Sequence, residues 1–291
     1  MLIAVVNISE GRDRSVLDAL AAACGPALLD RHVDPDHHRS VFTLSGPGAD
    51  GAERGAHGLT LAAADLLDLR DHEGVHPRLG AIDVVPFVSP ARDGASRAHA
   101  VGAAKRFAVW AERQFELPSF LYGDADPLGR TLPEVRRDAY RRRFPDFGPK
   151  TPHSTLGSVA VGARAPMVAV NVDLASDDVA AARSIARRVR ERDGGLPGVR
   201  ALGFALGSRG RVQVSMNLVD LPATGIETAC RTVESEARVR GLAVDRVELV
   251  GLLPAAELLR CSPAFLEWAG LEPTETVEAR LAAVRTSTER S

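Results

Sequence analysis

Along this chain the hydrophobic positions switch repeatedly between a strand rhythm and a helical one. "LIAVV" (residues 2–6) is a short apolar run, Arg12–Cys24 places Val16, Leu17 and Leu20 on one helical face, and "PALLD" and "SVFTLSG" (40–46) read as two further strands. Residues 50–69 carry Leu59, Ala62, Ala63, Leu66 and Leu67 at helical spacing, and "AIDVVPFV" (81–88) is a continuous apolar run of strand length. The order so far is βαββαβ. A helix from Ser96 to near Gln114 and a strand "SFLYGDA" follow. The polar stretch Asp126–Pro152, rich in arginine, proline and glycine, then reads as a long connection whose basic run "RRDAYRRR" is a solvated face.

The second half repeats this order. It runs through the strand "MVAVNVDL", a helix opened by Ser176 with Asp177 and Asp178 in its first turn and closed at Gly194, and the strands "VRALGFAL" and "RVQVSMNL" joined by the hairpin signal "GSRG". A helix over Thr224–Arg240, the strand "DRVELVGLL" and a closing helix after Leu271 complete it. Both halves carry the split-βαβ, ferredoxin-like order, with helices on one face of a mostly antiparallel sheet. No residue-level repeat links them, so the duplication is one of topology. The expected architecture is α/β (α+β): two ferredoxin-like βαββαβ subdomains, their sheets packed face to face, their helices outside, and a cleft between them.

Composition narrows the partner rather than the fold. A net charge of −2 gives no general pull toward nucleic acid or anionic lipid, so a small molecule or a protein is expected. The three cysteines, Cys24, Cys230 and Cys261, are odd in number and form no CxxC, which argues against a disulfide framework and a thiolate metal site and for a reducing compartment. The start "MLIAVVNISEGRDRS" lacks a basic lead and a long apolar run, and no stretch reaches the roughly 18 apolar residues of a spanning helix. The expectation is a cytoplasmic protein without membrane contact.

Unusual polar residues gather at strand ends of the first half. "VVNISEGRD" ends a strand in Asn7, Ser9, Glu10 and Gly11, with capping of the next helix by Ser9 or Asn7 as the plainer alternative. "DRHVDPDHHRS" puts Asp34, Asp36, His37, His38 and Arg39 where a hairpin needs only a turn residue. "HEGVHPRLGAID" is the third cluster. There Pro77 holds the preceding residue extended, so His76 is fixed and suited to proton transfer near neutrality; satisfying a backbone carbonyl is the alternative. A metal set drawn from Asp34, Asp36, His37, His72 and His76 has no recognisable spacing. His72 and His76 stand i, i+4 only on a helix, which Gly74 and Pro77 oppose. No metal is expected.

The stretches "VVNISEGRD", "LLDRHVDPDHHRSVFTLSGP", "HEGVHPRLGAIDVVPFV", "FLYGDA", "RTLPEVRR", "PDFGP", "GARAPMVAVNVDL", "VQVSMNLVD" and "VELVGLLP" resemble the glutamate formimidoyltransferase, or formiminotransferase, family. That family also supplies the front half of a bifunctional enzyme fused to a cyclodeaminase, a part expected to be absent here. The resemblance implies transfer of the formimino group from N-formimino-L-glutamate to tetrahydrofolate, the co-substrate, in histidine degradation and one-carbon metabolism. It implies a division into residues 1–174, the catalytic N-terminal subdomain, and 175–291, the C-terminal subdomain. It also implies a homodimer, with a separate cyclodeaminase as a partner.

The family's catalytic histidine falls on His76, and its folate-binding segment on Gly162, Ala163, Arg164, Ala165, Pro166, Met167, Val168, Ala169, Val170 and Asn171. A glycine there lets backbone approach a flat ring. Ala165 and Pro166 replace a lysine and an aromatic, and Val75 replaces an acid, three departures that bear on substrate detail. The carboxylates of donor and folate call for fork-shaped donors, for which Arg39, Arg78 and Arg164 are candidates, with Asn7 and Asp36 placed near the formimino nitrogens. Two alternatives remain open: a formyltransferase acting between N-formylglutamate and 5-formyltetrahydrofolate in the same site, and a non-catalytic folate-binding module.

Overall fold

The computed structural model describes residues 1–46, 48, 50–74, 77–90 and 93–288. The chain divides into two compact units, Met1–Ala165 and Pro166–Ser291.

The first unit runs β1 (Ile3–Ile8), α1 (Arg14–Ala23), β2 (Leu28–Asp34), β3 (Arg39–Leu44), α2 (Gly51–Leu66), β4 (Ile82–Val88), α3 (Gly94–Phe115), β5 (Ser119–Gly123), α4 (Leu132–Asp138) and β6 (Val159–Arg164). Its sheet has the order β2-β3-β1-β4-β6-β5. The first four strands pair antiparallel in the expected ferredoxin-like order, and β6 and β5 extend the sheet in parallel beyond β4. This extension explains why "AIDVVPFV" is apolar apart from Asp83: β4 is an interior strand with all seven residues buried, and a strand buried on both faces shows no alternation.

On one face α1, α2 and α3 cover the sheet. Leu20, Leu59 and Phe107 pack with Val6, Phe42, Val85 and Phe87, each side chain contributing about 1.5–3 kcal/mol by burial. The buried side of α3 is mostly alanine (Ala100, Ala103, Ala104, Ala108, Ala111), which lets the helix lie close to its strands. The alternate residues Val84, Phe120, Tyr122 and Ala160 form a second cluster with Val135 of α4. Residues 126–152 are therefore more than a long connection. They fold back over the sheet's other face, and within the basic run Arg143 is buried with Asp126 and Asp146 as ion-pair partners. The Pro77 carbonyl and Asp83 hold the Arg136 guanidinium, and Asp126 and Asp146 hold that of Arg143, so the solvated-face reading fails for both.

The second unit runs β7 (Val168–Leu174), α5 (Val179–Val189), β8 (Val199–Leu206), β9 (Arg211–Leu218), α6 (Ile226–Val239) and β10 (Val244–Val250). Its antiparallel sheet has the order β10-β7-β9-β8, the ferredoxin-like pattern again. Ile185, Ala186 and Val189 of α5 and Ala229, Cys230 and Val233 of α6 close its core over Val170, Val172 and Val214. The hairpin at "GSRG" is present, with Leu206 opposite Arg211 and Gly210 at φ +58°. Asp178, not Ser176, caps α5, accepting from the Ala180 and Ala181 amides.

After β10 come α7 (Ala255–Leu258), α8 (Pro263–Ala269) and α9 (Val277–Thr288), so the terminal helix starts later than Leu271 and two short helices precede it. Phe265 of α8 is fully buried, and the Arg231 guanidinium sits 4.4 Å from the Trp268 ring centroid. The expected division after Leu174 differs from the structural one because β7 pairs along its whole length with β9 and β10.

Candidate active site in the N-terminal unit

Antiparallel pairing brings the three polar clusters to one rim of the first sheet. Ile8 stands opposite Ser40 of β3 and Ile82 of β4, so the end of β1 meets the starts of both neighbours. The turn after β1 is tied down locally: the Ser9 amide donates to Ala81 O and its hydroxyl to Gly80 O, both at 2.8 Å. Glu10 Oε1 accepts from the Gly11, Arg12 and Asp13 amides, and Asp13 caps α1, which leaves neither Ser9 nor Asn7 as the cap. Gly11 passes so close to the β2–β3 turn that a Cβ would lie 2.4 Å from Asp34 O and 2.5 Å from Arg39 N. No larger residue fits there.

Asp83 is the centre of the rim. Its side chain is fully withdrawn from water, and its Oδ2 accepts from Arg39 Nη1 and Arg136 Nη2, each at 2.5 Å. Oδ1 accepts from the Leu79 amide at 2.6 Å. Burial by itself would raise the Asp83 pKa, but the two guanidinium groups and the amide outweigh it and hold the carboxyl at about 2. Arg39 also donates to Asn7 Oδ1 through Nε and Nη2 at 3.2 and 2.9 Å, which binds β1, β3 and β4 into one network. Arg78 feels the charges of Arg39, Asp83 and Arg136. Three guanidinium groups thus surround one buried carboxylate, a local excess of positive charge suited to an anionic ligand.

Beside this cluster lies an imidazole pair. The His38 and His72 ring centroids are 4.0 Å apart. His38, at φ +47°, accepts the Gly11 amide on Nδ1 at 3.1 Å, and Glu10 Oε1 stands 3.5 Å from the same nitrogen. His72 Nε2 donates to His38 O at 3.2 Å, leaving its Nδ1 to accept from Arg78 Nη1 at 2.6 Å. Burial and the neighbouring His72 push the His38 pKa down to about 4, and burial and Arg78 lower that of His72.

His38 is therefore neutral at physiological pH. Its ring carbons should show no NMR titration step between about pH 5.5 and 8. Because the folded value lies below the unfolded 6.5, the unfolded chain takes up the proton first. Stability from this group is full above the unfolded value of 6.5 and is lost as the pH falls from there toward 4. Ser9, Glu10, His38, Asp68, Leu69, His72 and Ala81 line a cavity of about 170 Å³ against the pair.

Of the residues expected at the site, Asn7, Arg39 and Arg78 meet in these networks. Val75 and His76 lie outside the described residues. Asp36 is in the turn between β2 and β3, where Asp34 stands 4.0 Å from His37 Nε2 and Glu10 3.5 Å from His38 Nδ1. Asp83 and Arg136 were not anticipated. For Asp83 the signal was available, a lone acid inside an otherwise apolar strand, which burial makes too costly unless it is paired. Nothing local distinguishes Arg136 from the other arginines of its run.

The segment expected to hold folate is divided between the units. Gly162–Arg164 ends β6 in the first, and Val168–Asn171 opens β7 in the second. Ala163, Val168 and Val170 are buried in their own cores, and Asn171 Nδ2 donates to Glu248 Oε2. Arg164, Ala165, Pro166, Met167 and Ala169 remain accessible. The ring that Gly162 accommodates within the unit is that of Tyr122, its cross-strand partner, whose atoms lie 2.4–2.6 Å from where a Cβ would be. The Asp34, Asp36, His37 and His72 set does not converge as a ligand cluster among the described residues. The trio whose ligand atoms lie within 4.8 Å of one another is Asp50, Glu53 and His99, where Arg106 already engages Glu53.

Residues 1–164 match the N-terminal subdomain of the formiminotransferase domain, and residues 169–285 match the formiminotransferase domain that follows it. The chain belongs to the formiminotransferase family. Within this family it is 36% identical over 278 residues to the glutamate formimidoyltransferase of Streptococcus pyogenes serotype M1, covering 90% of this chain and 92% of that one. The glutamate formimidoyltransferase of Thermoplasma acidophilum is 32% identical over 95% of this chain and 96% of its own. Against the formimidoyltransferase-cyclodeaminase of Rattus norvegicus the identity is 36% over 90% of this chain, which spans 52% of that protein. This formiminotransferase-family chain is an enzyme of the group-transfer class. Among the described residues, no helix is long and apolar enough to cross a membrane.

Proposed function

We propose that the enzyme transfers the formimino group from N-formimino-L-glutamate to N5 of tetrahydrofolate, giving 5-formiminotetrahydrofolate and L-glutamate, with His76 as general acid and base. N5 attacks the amidine carbon and forms the new C–N bond. The tetrahedral centre then collapses by breaking the bond to glutamate's nitrogen. His76 takes the proton lost from N5 and delivers it to the leaving nitrogen, so no covalent enzyme intermediate is required. In the cell the reaction belongs to histidine degradation and one-carbon metabolism, carried out by a cytoplasmic homodimer whose product a separate cyclodeaminase consumes.

The observation that supports this reading is the meeting of "NISEG", "DPDHHRS" and "PRLGAID" (77–83) at one rim, where positive and negative features lie side by side. The guanidinium groups of Arg39 and Arg78 beside Asp83 suit the donor's carboxylates. The adjoining cavity, with Glu10 on its wall, suits the cationic amidine end. For folate, the accessible stretch Arg164–Met167 offers backbone groups to the pterin and a guanidinium to the glutamate tail.

Purified protein supplied with tetrahydrofolate and either N-formimino- or N-formyl-L-glutamate should yield a folate adduct from the formimino donor. Adduct from the formyl donor alone would move the enzyme to that sister activity, and adduct from neither would leave a folate-binding module.

A further inference from the structure

The geometry points to Arg136 as a positioning residue for this transfer, locking the backbone of Pro77–Leu79 onto Asp83; the inference rests on the reading of His76 as the proton carrier. Arg136 Nη1 donates to the Pro77 carbonyl, and Nη2 donates to Asp83 Oδ2 at 2.5 Å. The other Asp83 oxygen accepts the Leu79 amide at 2.6 Å. Carbonyl, guanidinium, carboxylate and amide therefore close a ring across three residues of backbone. Arg39 anchors the same carboxylate to Asn7 on β1, so the ring is fastened to the centre of the sheet.

Proline already fixes φ at residue 77, and the bridge fixes the orientation of its carbonyl. The residue joined to Pro77 on its amino side is His76. Freedom at Pro77 would pass directly into the place from which that side chain departs.

The clamp comes from a distant part of the chain. Thr131 and Glu134 form a capping box that opens α4, and Val135 is buried against Phe120, Tyr122 and Ala160. Arg136 follows Val135 and is only 16% exposed in its side chain. A planar fork is required, because the two acceptors are separate and a lysine ammonium is a single point.

Arg136→Lys and Arg136→Ala in the full chain test this. Both should lower kcat by about 10-fold or more and leave each KM within roughly threefold, since misplacement rather than lost binding is the defect. Guanidinium ion at millimolar concentration should restore turnover to Arg136→Ala, while equal sodium chloride should not. Hydrogen exchange at the Leu79 amide should rise at least about 10-fold in both variants, with Val214 of the second unit unchanged.

Wild-type kcat in Arg136→Lys, or unchanged exchange at Leu79, would overturn the clamp. If the unaltered protein transferred no group from either donor, the reading of the reaction would fall by itself, and Leu79 exchange would still decide whether Arg136 holds this backbone.

Discussion

Asp83→Asn is expected to destabilise the first unit by about 3–5 kcal/mol, the scale for removing one partner from a buried ion network. The carboxylate is fully buried, and Arg39 and Arg136 are only 11% and 16% exposed, so neither guanidinium can recover its solvation by turning outward. A carboxamide keeps the shape but carries no charge, and its amino group would face a donor. Calorimetry should show a fall in Tm on the order of 10 °C for a unit of this size.

The effect has a defined pH dependence. The folded Asp83 pKa, about 2, lies below the ordinary 3.8, so its contribution is complete above the unfolded value and is lost as the pH falls toward 2. The stability gap between wild type and variant should therefore narrow between about pH 5 and 2. A gap that stayed constant over that interval would mean Asp83 matters for packing and not for charge.

His76→Ala should lower turnover by about 10²–10⁴, the range a well-placed acid and base contributes. Folate binding should persist, because the proposed folate stretch, Arg164–Met167, is remote in sequence and contains no proton carrier for the reaction. Steady-state turnover with the formimino donor, set beside equilibrium binding of tetrahydrofolate, separates the two. If the variant kept wild-type kcat, the proton would have to travel through another group. The neutral His38–His72 pair would then be the next imidazoles to replace.

The Asp83 and His76 substitutions differ in how visible their basis is in the chain. His76 stands out from "HPRLGAID" alone, because a proline beside a histidine announces a fixed imidazole and the motif carries the resemblance. Asp83 closes the same stretch, seven residues after His76, but its partners come from positions 44 and 53 residues away in the chain. No window of sequence contains both ends of such a pair. Likewise "RRDAYRRR" has the composition of a solvated surface, yet Arg143 is buried and Arg136 largely covered because the polypeptide folds back over the second face of the sheet.

Periodicity, turn chemistry and the long motifs were enough by themselves for the duplicated βαββαβ order, the hairpin at "GSRG", the family, and the three polar clusters at strand ends. These depend on neighbours in the chain, where side-chain direction follows from a period of 2 or 3.6. Tertiary structure alone decided that β6 and β5 extend the first sheet, that Gly162 makes room for Tyr122, and that one buried carboxylate gathers Arg39, Arg136 and the Leu79 amide. Those outcomes turn on competition among distant groups for burial and hydrogen bonds, which no local pattern records.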